Sequence, residues 1–106
     1  MPPTFVKKIE NVSTILGNVA IFACIVEGSL PLSLQWQKDE NWITEDSKIQ
    51  RMFDNKEATL SIPACEPTDS GKYTCQVVNE AGQDKCFATL VVQGTSASHT
   101  ILIPNI

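Results

Sequence analysis

The segment "DSGKYTC", residues 69–75, constrains the fold of this chain more than any other stretch. Tyr73 and Cys75 are two residues apart, so their side chains point to the same side of a β-strand. The residues just before them, Pro67 to Gly71, have the composition of a tight turn. The segment therefore predicts a strand that starts at a corner and turns a phenol and a sulfur into the core.

The rest of the chain alternates between short apolar segments and turn residues, and its helical periodicity is weak. Its 106 residues suffice for one domain with a single two-layer core. Turns that recur about every 8–12 residues in an all-β chain are typical of a β-sandwich or a barrel. The predicted strands are Phe5–Ile9, Val12–Leu16, Val19–Glu27, Leu32–Lys38, Trp42–Thr44, Lys48–Phe53, Ala58–Ile62, Gly71–Asn79 and Lys85–Val92.

Side-chain parity gives each predicted strand an inward and an outward face. The inward positions are apolar, aromatic or cysteine, which is enough for one hydrophobic core. The residues expected inside are Ala20, Phe22, Cys24, Val26, Leu32, Leu34, Trp36, Leu60, Ile62, Tyr73, Cys75, Val77, Cys86, Ala88, Leu90 and Val92.

Composition excludes two classes of partner. The formal net charge of −4 argues against nucleic acid, because binding phosphates requires clustered Lys and Arg. No apolar run approaches the roughly 20 residues that span a bilayer, and no signal peptide is evident, so we expect no membrane partner. The start "MPPTFVKK" suggests an initiator Met placed on a piece of a longer chain.

Three motifs together resemble an immunoglobulin domain. They are Ala23-Cys24, "QWQK" around Trp36, and "DSGKYTC", which ends at Cys75. The resemblance implies a two-sheet antiparallel β-sandwich in which Tyr73 hydrogen-bonds back to the preceding corner. It also implies that Asp69 closes this corner, with Arg51 or Lys48 as its basic partner, and that Gly71 allows the chain to bend.

The hairpin "QVVNEAG" is similar to that of intermediate-set (I-set) domains, where Asn79 and Gly82 form the turn and Gly82 would supply a positive φ. The start and end of the chain resemble the tandem domains of titin and related giant sarcomere proteins. In such domains a short strand after the first pairs in parallel with the last strand. We expect residues 1–93 to be the domain and 94–106 to be a disordered linker or extension.

The four cysteines leave a disulfide open as a prediction. By the resemblance, Cys24 and Cys75 lie close enough to bridge, and such a bridge would add about 4 kcal/mol of stability. Cys65 is expected at the corner and Cys86 near the opposite end, too far apart to pair. Two leftover thiols favour an intracellular protein with all four cysteines reduced. No close C-x₂-C pair is present, so we expect no metal site.

Nothing in the sequence indicates catalysis or a cofactor. The single histidine, His99, lies in the tail "TSASHTILI", and no phosphate loop or carboxylate pair stands out, so an enzyme is not expected. Binding surfaces are the remaining candidates. Ile21 and Ile25 lie on an outward stripe with Val19 and Ala23, which is either a partner surface or is covered by neighbouring side chains. Trp42 is either an exposed hot spot or lies over the stem of Lys38.

Two further segments have open interpretations. The sequence "NVS", from Asn11 to Ser13, is a glycosylation sequon that matters only in a secreted chain. The apolar "ILIP" of the tail could add a strand to a neighbouring copy, although a linker is the simpler interpretation.

The resemblance implies a non-catalytic structural module in a tandem array of a cytoplasmic sarcomere protein, acting as elastic spacer and scaffold. Its partners would be neighbouring immunoglobulin domains and other sarcomere or cytoskeletal proteins, and the isolated domain would be a monomer. Val12, Ile15, Leu90 and Val92 would bear force in shear. The alternative is a binding module of an adhesion or receptor ectodomain, or of an actin-associated protein.

Overall fold

A computed structural model describes residues 1–44 and 47–94 of the chain. The described residues form nine β-strands and one short 3₁₀ turn at Pro67–Asp69, as the alternating pattern predicted. The strands are β1 Thr4–Lys7, β2 Val12–Ile15, β3 Ala20–Glu27, β4 Ser33–Lys38, β5 Asn41–Trp42, β6 Gln50–Asp54, β7 Glu57–Ile62, β8 Gly71–Asn79 and β9 Gly82–Gln93.

The strands build two sheets that pack face to face. The four-stranded sheet has the order β1-β3-β7-β6, and the five-stranded sheet has the order β2-β9-β8-β4-β5. Pairing is antiparallel except between β2 and β9, which run parallel with Val12 opposite Leu90 and Ile15 opposite Gln93. The predicted sandwich, including its one parallel pair, is therefore confirmed.

The largest boundary difference concerns β9, which begins at Gly82 and not at Lys85. Gln83 and Asp84 continue the ladder opposite Val78 and Val77, so the β8–β9 hairpin is tighter than its polar residues indicated. At the other end of the chain, β1 ends at Lys7 because the chain then crosses to the second sheet.

The core lies between the sheets and follows the predicted parity. Burial alternates along β3 and β9, so each of these strands turns every second side chain inward. Leu32 and Leu34 are only partly buried against the core, since they lie towards its periphery. The buried apolar residues are Phe5, Ile9, Ala20, Phe22, Cys24, Val26, Trp36, Ala58, Leu60, Ile62, Cys65, Tyr73, Cys75, Val77, Cys86, Ala88, Leu90 and Val92.

The two ends of the described chain lie at opposite poles of the sandwich. At the N-terminal pole, the Met1 carbonyl accepts hydrogen bonds from Ser29 N and from the Asn79 side chain. At the C-terminal pole, Leu16 N donates to the carbonyl of Gln93, just before Gly94. A force applied through the ends therefore acts along the length of the sandwich.

Candidate functional site

The centre of the core is the indole of Trp36, which is 1% exposed. Trp36 lies opposite Cys75 in the β4–β8 ladder, while Cys24 reaches the same region from the other sheet. The Sγ atoms of Cys24 and Cys75 are 3.8 Å apart. All six predicted core residues are buried; they are Cys24, Trp36, Leu60, Tyr73, Cys75 and Leu90.

The corner before β8 is closed by Tyr73 and Asp69. The Tyr73 hydroxyl donates to the Asp69 carbonyl at 2.7 Å, and burial raises the pKa of Tyr73, so the phenol remains protonated. The Asp69 carboxylate accepts from Glu66 N at 2.8 Å and from Lys48 Nζ at 2.8 Å. The Asp69 hydrogen bond raises the pKa of Lys48. Of the two predicted basic partners Lys48 is the one used, whereas Arg51 donates to the Ile43 carbonyl.

Gly71 is required by its conformation and by its neighbour Asp39. Its φ is +154°, and a Cβ at this position would lie 2.7 Å from Asp39 Oδ2. Asp39 belongs to the β4–β5 turn, and its Oδ1 accepts from Lys72 N at 3.0 Å. This hydrogen bond and the contact with Lys38 lower the pKa of Asp39. No sequence pattern signals this long-range contact, because only the fold brings the turn to the corner.

Replacing Gly71 with alanine is expected to cost about 1–3 kcal/mol of unfolding free energy, because the new Cβ is strained and meets a carboxylate. Chemical denaturation measures the loss. In an Asp39→Gly background the same substitution should cost less, since the carboxylate is gone. Gly82→Ala is the matched control and should stay within about 0.5 kcal/mol. Equal losses at Gly71 and Gly82 would contradict the contact.

The prediction that Gly82 supplies a positive φ is wrong. The glycines with positive φ are Gly17, Gly28 and Gly71 among the described residues. The Asn79 side chain holds the turn instead, because its Oδ1 accepts from Ala81 N at 2.8 Å and from Gly82 N at 3.1 Å.

Asn79 also ties three segments together at the N-terminal pole. Its Nδ2 donates to the carbonyl of Met1 at 2.7 Å and to that of Ser29 at 3.0 Å. The hairpin, the β3–β4 loop and the first residues of the chain are thus held by one side chain.

We expect Asn79→Asp to loosen the N-terminal segment while it preserves the turn, since it retains the acceptor oxygen and loses the donor to Met1 and Ser29. Amide exchange at Ser29 should accelerate about fivefold or more, whereas overall stability should fall by only about 1 kcal/mol. Asn79→Ala removes both functions and should cost more. Unchanged exchange at Ser29 in the Asp variant would contradict this assignment.

The parallel ladder of β2 and β9 extends beyond the strands at both ends. Asn11 Oδ1 accepts from Thr89 N at 2.8 Å, and Leu16 N donates to the Gln93 carbonyl at 2.8 Å. Of the residues proposed to bear force, Val12 lies directly opposite Leu90. Val92 is opposite Thr14, and Ile15 is opposite Gln93 with its side chain 37% exposed. Asn11, interpreted from the sequence only as a sequon, is thus part of this ladder.

The outer faces carry exposed apolar side chains. Ile21 and Trp42, two of the predicted surface residues, are 56% and 52% exposed, and Ile25 is half-buried. Phe87 is 53% exposed and was not predicted as a surface residue. The sequence could have shown this, because Cys86 and Ala88 point inward and the side chain between them must therefore point outward.

The comparison with protein families decides the assignment. The sequence-family model of the immunoglobulin I-set domain matches residues 3–92 of this chain. The chain belongs to the immunoglobulin I-set family.

Several relatives of this I-set domain are muscle proteins, and a basement membrane-specific heparan sulfate proteoglycan core protein of Mus musculus is also similar, at 33% identity over 84% of this chain and 2% of that protein. It is 35% identical over 92 residues to telokin of Meleagris gallopavo, covering 86% of this chain and 60% of telokin. It is 34% identical over 95 residues to titin of Drosophila melanogaster, covering 90% of this chain and a share of titin that rounds to 0%. It is 33% identical over 92 residues to the striated muscle preferentially expressed protein kinase of Danio rerio, covering 87% of this chain and 3% of the kinase. The kinase therefore matches through an immunoglobulin domain, which is a non-catalytic fold.

Solved structures of titin domains have the same architecture. An I-band fragment of titin is 35% identical with a TM-score of 0.87, over 89% of this chain and 33% of that fragment. A titin fragment in complex with telethonin is 28% identical with a TM-score of 0.87, over 92% of this chain and 50% of the fragment. A titin domain bound to obscurin-like 1 is 29% identical with a TM-score of 0.85, over 91% of this chain and 98% of that chain.

The possible disulfide between Cys24 and Cys75 is not supported. The four cysteines are free, and 3.8 Å between the Cys24 and Cys75 sulfurs is far longer than the roughly 2.05 Å of a disulfide. The predicted place of Cys86 near the far end of the sandwich is also wrong. Cys86 lies directly opposite Cys75 in the β8–β9 ladder, because β9 begins three residues earlier than predicted.

The hydrogen bond with Cys75 lowers the pKa of Cys24, whereas burial favours the protonated form of the other three thiols. Burial raises the pKa of Cys86 to about 11 and also raises that of Cys65. The hydrogen bond with Cys24, together with burial, raises the pKa of Cys75. Since all four thiols are buried, the folded domain should react poorly with thiol reagents at neutral pH.

Thiol titration tests this directly. Protein purified without reductant should show almost no reactive thiol when folded, and all four in denaturant, because every cysteine is buried. Two reactive thiols in denaturant would indicate one disulfide and would contradict the reduced state of the structure. A control protein with one exposed cysteine shows that the thiol reagent is active.

Two kinds of feature were sought in the described part of the chain, metal-ligand groups and membrane-spanning helices, and neither was found. No group of three or more His, Cys, Asp or Glu side chains within residues 1–44 and 47–94 could hold a metal ion. In the same residues no helix is long and apolar enough to span a membrane. His99 and the "ILIP" segment lie outside the described residues.

Proposed function

We propose that this I-set domain is a non-catalytic mechanical module in a tandem array of a titin-like sarcomere protein, where it acts as elastic spacer and scaffold. In this proposal residues 1–93 form the module and residues 94–106 connect it to a neighbouring domain. The observation that supports it most is the parallel β2–β9 ladder, which lies between chain ends at opposite poles.

The direction of the ladder determines how it would bear force. Tension on the ends pulls β2 towards the N-terminal pole and β9 towards the C-terminal pole, along the strand axes. The hydrogen bonds from Asn11 to Leu16 are then loaded together in shear. Bonds loaded together resist more force than bonds that open one after another, so the domain would stay folded at low tension.

Unfolding would supply extension. About 90 residues at ~3.4 Å each release on the order of 300 Å of chain. If an oxidant joined Cys24 to Cys75, the bridge would withhold roughly half of that length, so redox state would set how far the module extends.

Single-molecule stretching of a polyprotein of identical copies tests the proposal. We expect equally spaced unfolding events, each releasing about 270 Å after the folded length is subtracted. A cytoplasmic spacer should also refold between pulls in reductant. Unfolding at forces no higher than those of a domain without a parallel terminal ladder would refute the mechanical role.

The relatives suggest which partners to test. The named complexes contain titin with telethonin and titin with obscurin-like 1, so sarcomere proteins are the first candidates, together with neighbouring immunoglobulin domains. We place the module in the myofibril, in line with relatives such as titin and the muscle M-line assembly protein unc-89 of Caenorhabditis elegans.

A further inference from the structure

The outer face of the five-stranded sheet, whose central strands β9, β8 and β4 are lettered G, F and C in immunoglobulin domains, is here called the GFC face and carries a row of side chains across four strands. The row contains Phe87 on β9, Thr74 on β8, Gln37 on β4 and Trp42 on β5, each opposite the next. Phe87 and Trp42 are both more than half exposed, whereas Thr74 between them is 3% exposed. At about 4.8 Å between strands, the backbones of Phe87 and Trp42 are roughly 14 Å apart across the sheet.

The charge of the GFC face is opposite to that of the whole chain. The protein has 12 acidic and 8 basic residues, yet no Asp or Glu points outward from the described strands on this face. Its outward charges are Lys72 on β8 and Lys85 on β9. Neither lysine forms an ion pair within residues 1–44 and 47–94.

Two of the carboxylates that border this face are already engaged. Asp39, at the β4–β5 turn, accepts from Lys72 N and from Lys38 Nζ. Asp84 turns towards the other sheet and accepts from Phe5 N at 3.1 Å. Neither is therefore placed to neutralise the ammonium groups of the face.

The ammonium group of Lys72 and the ring of Phe87 form a cation–π pair on this face. Lys72 Nζ lies 4.5 Å from the centroid of the Phe87 ring, so the ammonium is held beside an exposed apolar surface. A partner side chain that contacts Phe87 brings its neighbours within reach of this charge. Exposed aromatic residues are enriched in the centres of protein interfaces.

The outer face of the four-stranded sheet differs from the GFC face in the sign of its charge. Its outer face carries Glu27, Glu57 and Asp54, with Glu57 opposite both Ile25 and Asp54. Lys7, also opposite Ile25, adds one positive charge, so acidic residues still predominate. That face also carries exposed apolar residues, including Met52 at 67%. The two faces thus differ in the sign of their charge and not in whether they are apolar.

We propose that the GFC face docks an acidic protein segment that carries carboxylates beside aromatic or apolar side chains. The apolar groups would lie on Phe87 and Trp42, and the carboxylates would pair with Lys72 and Lys85. This docking is lateral to the chain axis, so it is independent of the mechanical role of the β2–β9 ladder.

The probe is a random copolymer of glutamate and tyrosine, added to the ¹⁵N-labelled protein while amide shifts are followed. We expect shifts confined to the GFC face, and none with a lysine–tyrosine copolymer. The double variant Lys72→Glu and Lys85→Glu should bind about tenfold more weakly. The double variant Lys7→Glu and Lys8→Glu makes the same change of charge elsewhere and should bind as the parent does.

A second pair of variants separates the aromatic contribution. Phe87→Ala should weaken binding about fivefold or more, while Met52→Ala on the other sheet should not. The proposal is overturned if the two lysine variants bind equally, or if shifts map to the four-stranded sheet. Concentration-dependent self-association through the GFC face, seen by sedimentation, would also overturn it, because the occupant would then be a second copy.

Discussion

Thr14→Pro is expected to lower the force needed to unfold the domain by about a third, because it removes a hydrogen bond from the β2–β9 ladder. Leu16 N donates to β9, and N–H directions alternate along a strand, so the Thr14 N–H points the same way. Proline has no N–H, and a ladder loaded in shear depends on the number of bonds that act together. Single-molecule stretching measures the change.

Ser13→Pro is the matched control. By the same alternation, its N–H points away from β9, and β2 is an edge strand in which proline is tolerated at such positions. This variant should retain nearly the parental unfolding force. If both prolines weaken the domain equally, the ladder is not what resists force; if neither does, the force is borne elsewhere.

Trp36→Ala is expected to cost about 3–5 kcal/mol of unfolding free energy, the usual range for deleting a buried aromatic side chain. The indole is 1% exposed and fills the centre of the core beside Cys24 and Cys75. Since a domain of this size is stable by only ~5–15 kcal/mol, the variant should be partly or fully unfolded at 37 °C. Urea denaturation followed by circular dichroism measures the loss.

The second tryptophan provides the control. Trp42 is 52% exposed, so Trp42→Ala should change stability by no more than about 0.5 kcal/mol. The Trp42→Ala protein then reports Trp36 alone, whose fluorescence should shift to longer wavelength on unfolding. Equal losses for the two substitutions would contradict a core built around Trp36.

The architecture could be predicted because its main determinants are local. Alternation of apolar residues gives the inward face of each strand, and the residues around Cys24, Trp36 and Tyr73 lie on strands whose parity is clear. The Tyr73 corner was predictable for the same reason, since its hydroxyl reaches only four residues back, to Asp69.

The remaining features depend on contacts between distant segments, which no local pattern encodes. Asp39 meets Gly71, Asn11 meets Thr89 and Asn79 meets Met1 only after the sheets have formed. The position of Cys86 was missed because Gln83 and Asp84 resemble loop residues, although they pair within β9. Polar residues in a tight hairpin can complete a strand through backbone hydrogen bonds alone. Their residue types therefore do not distinguish a strand from a loop.

The most direct test of the mechanical role compares two directions of pulling on the same folded domain. Handles at residues 1 and 94 load the β2–β9 ladder in shear. Handles at residues 18 and 94 lie together at the C-terminal pole and peel the same bonds one at a time, starting from Leu16. A bio-orthogonal side chain at exposed Asn18 leaves all four cysteines unchanged. We expect the force across the poles to be several times the peeling force; equal forces in the two directions would contradict the account.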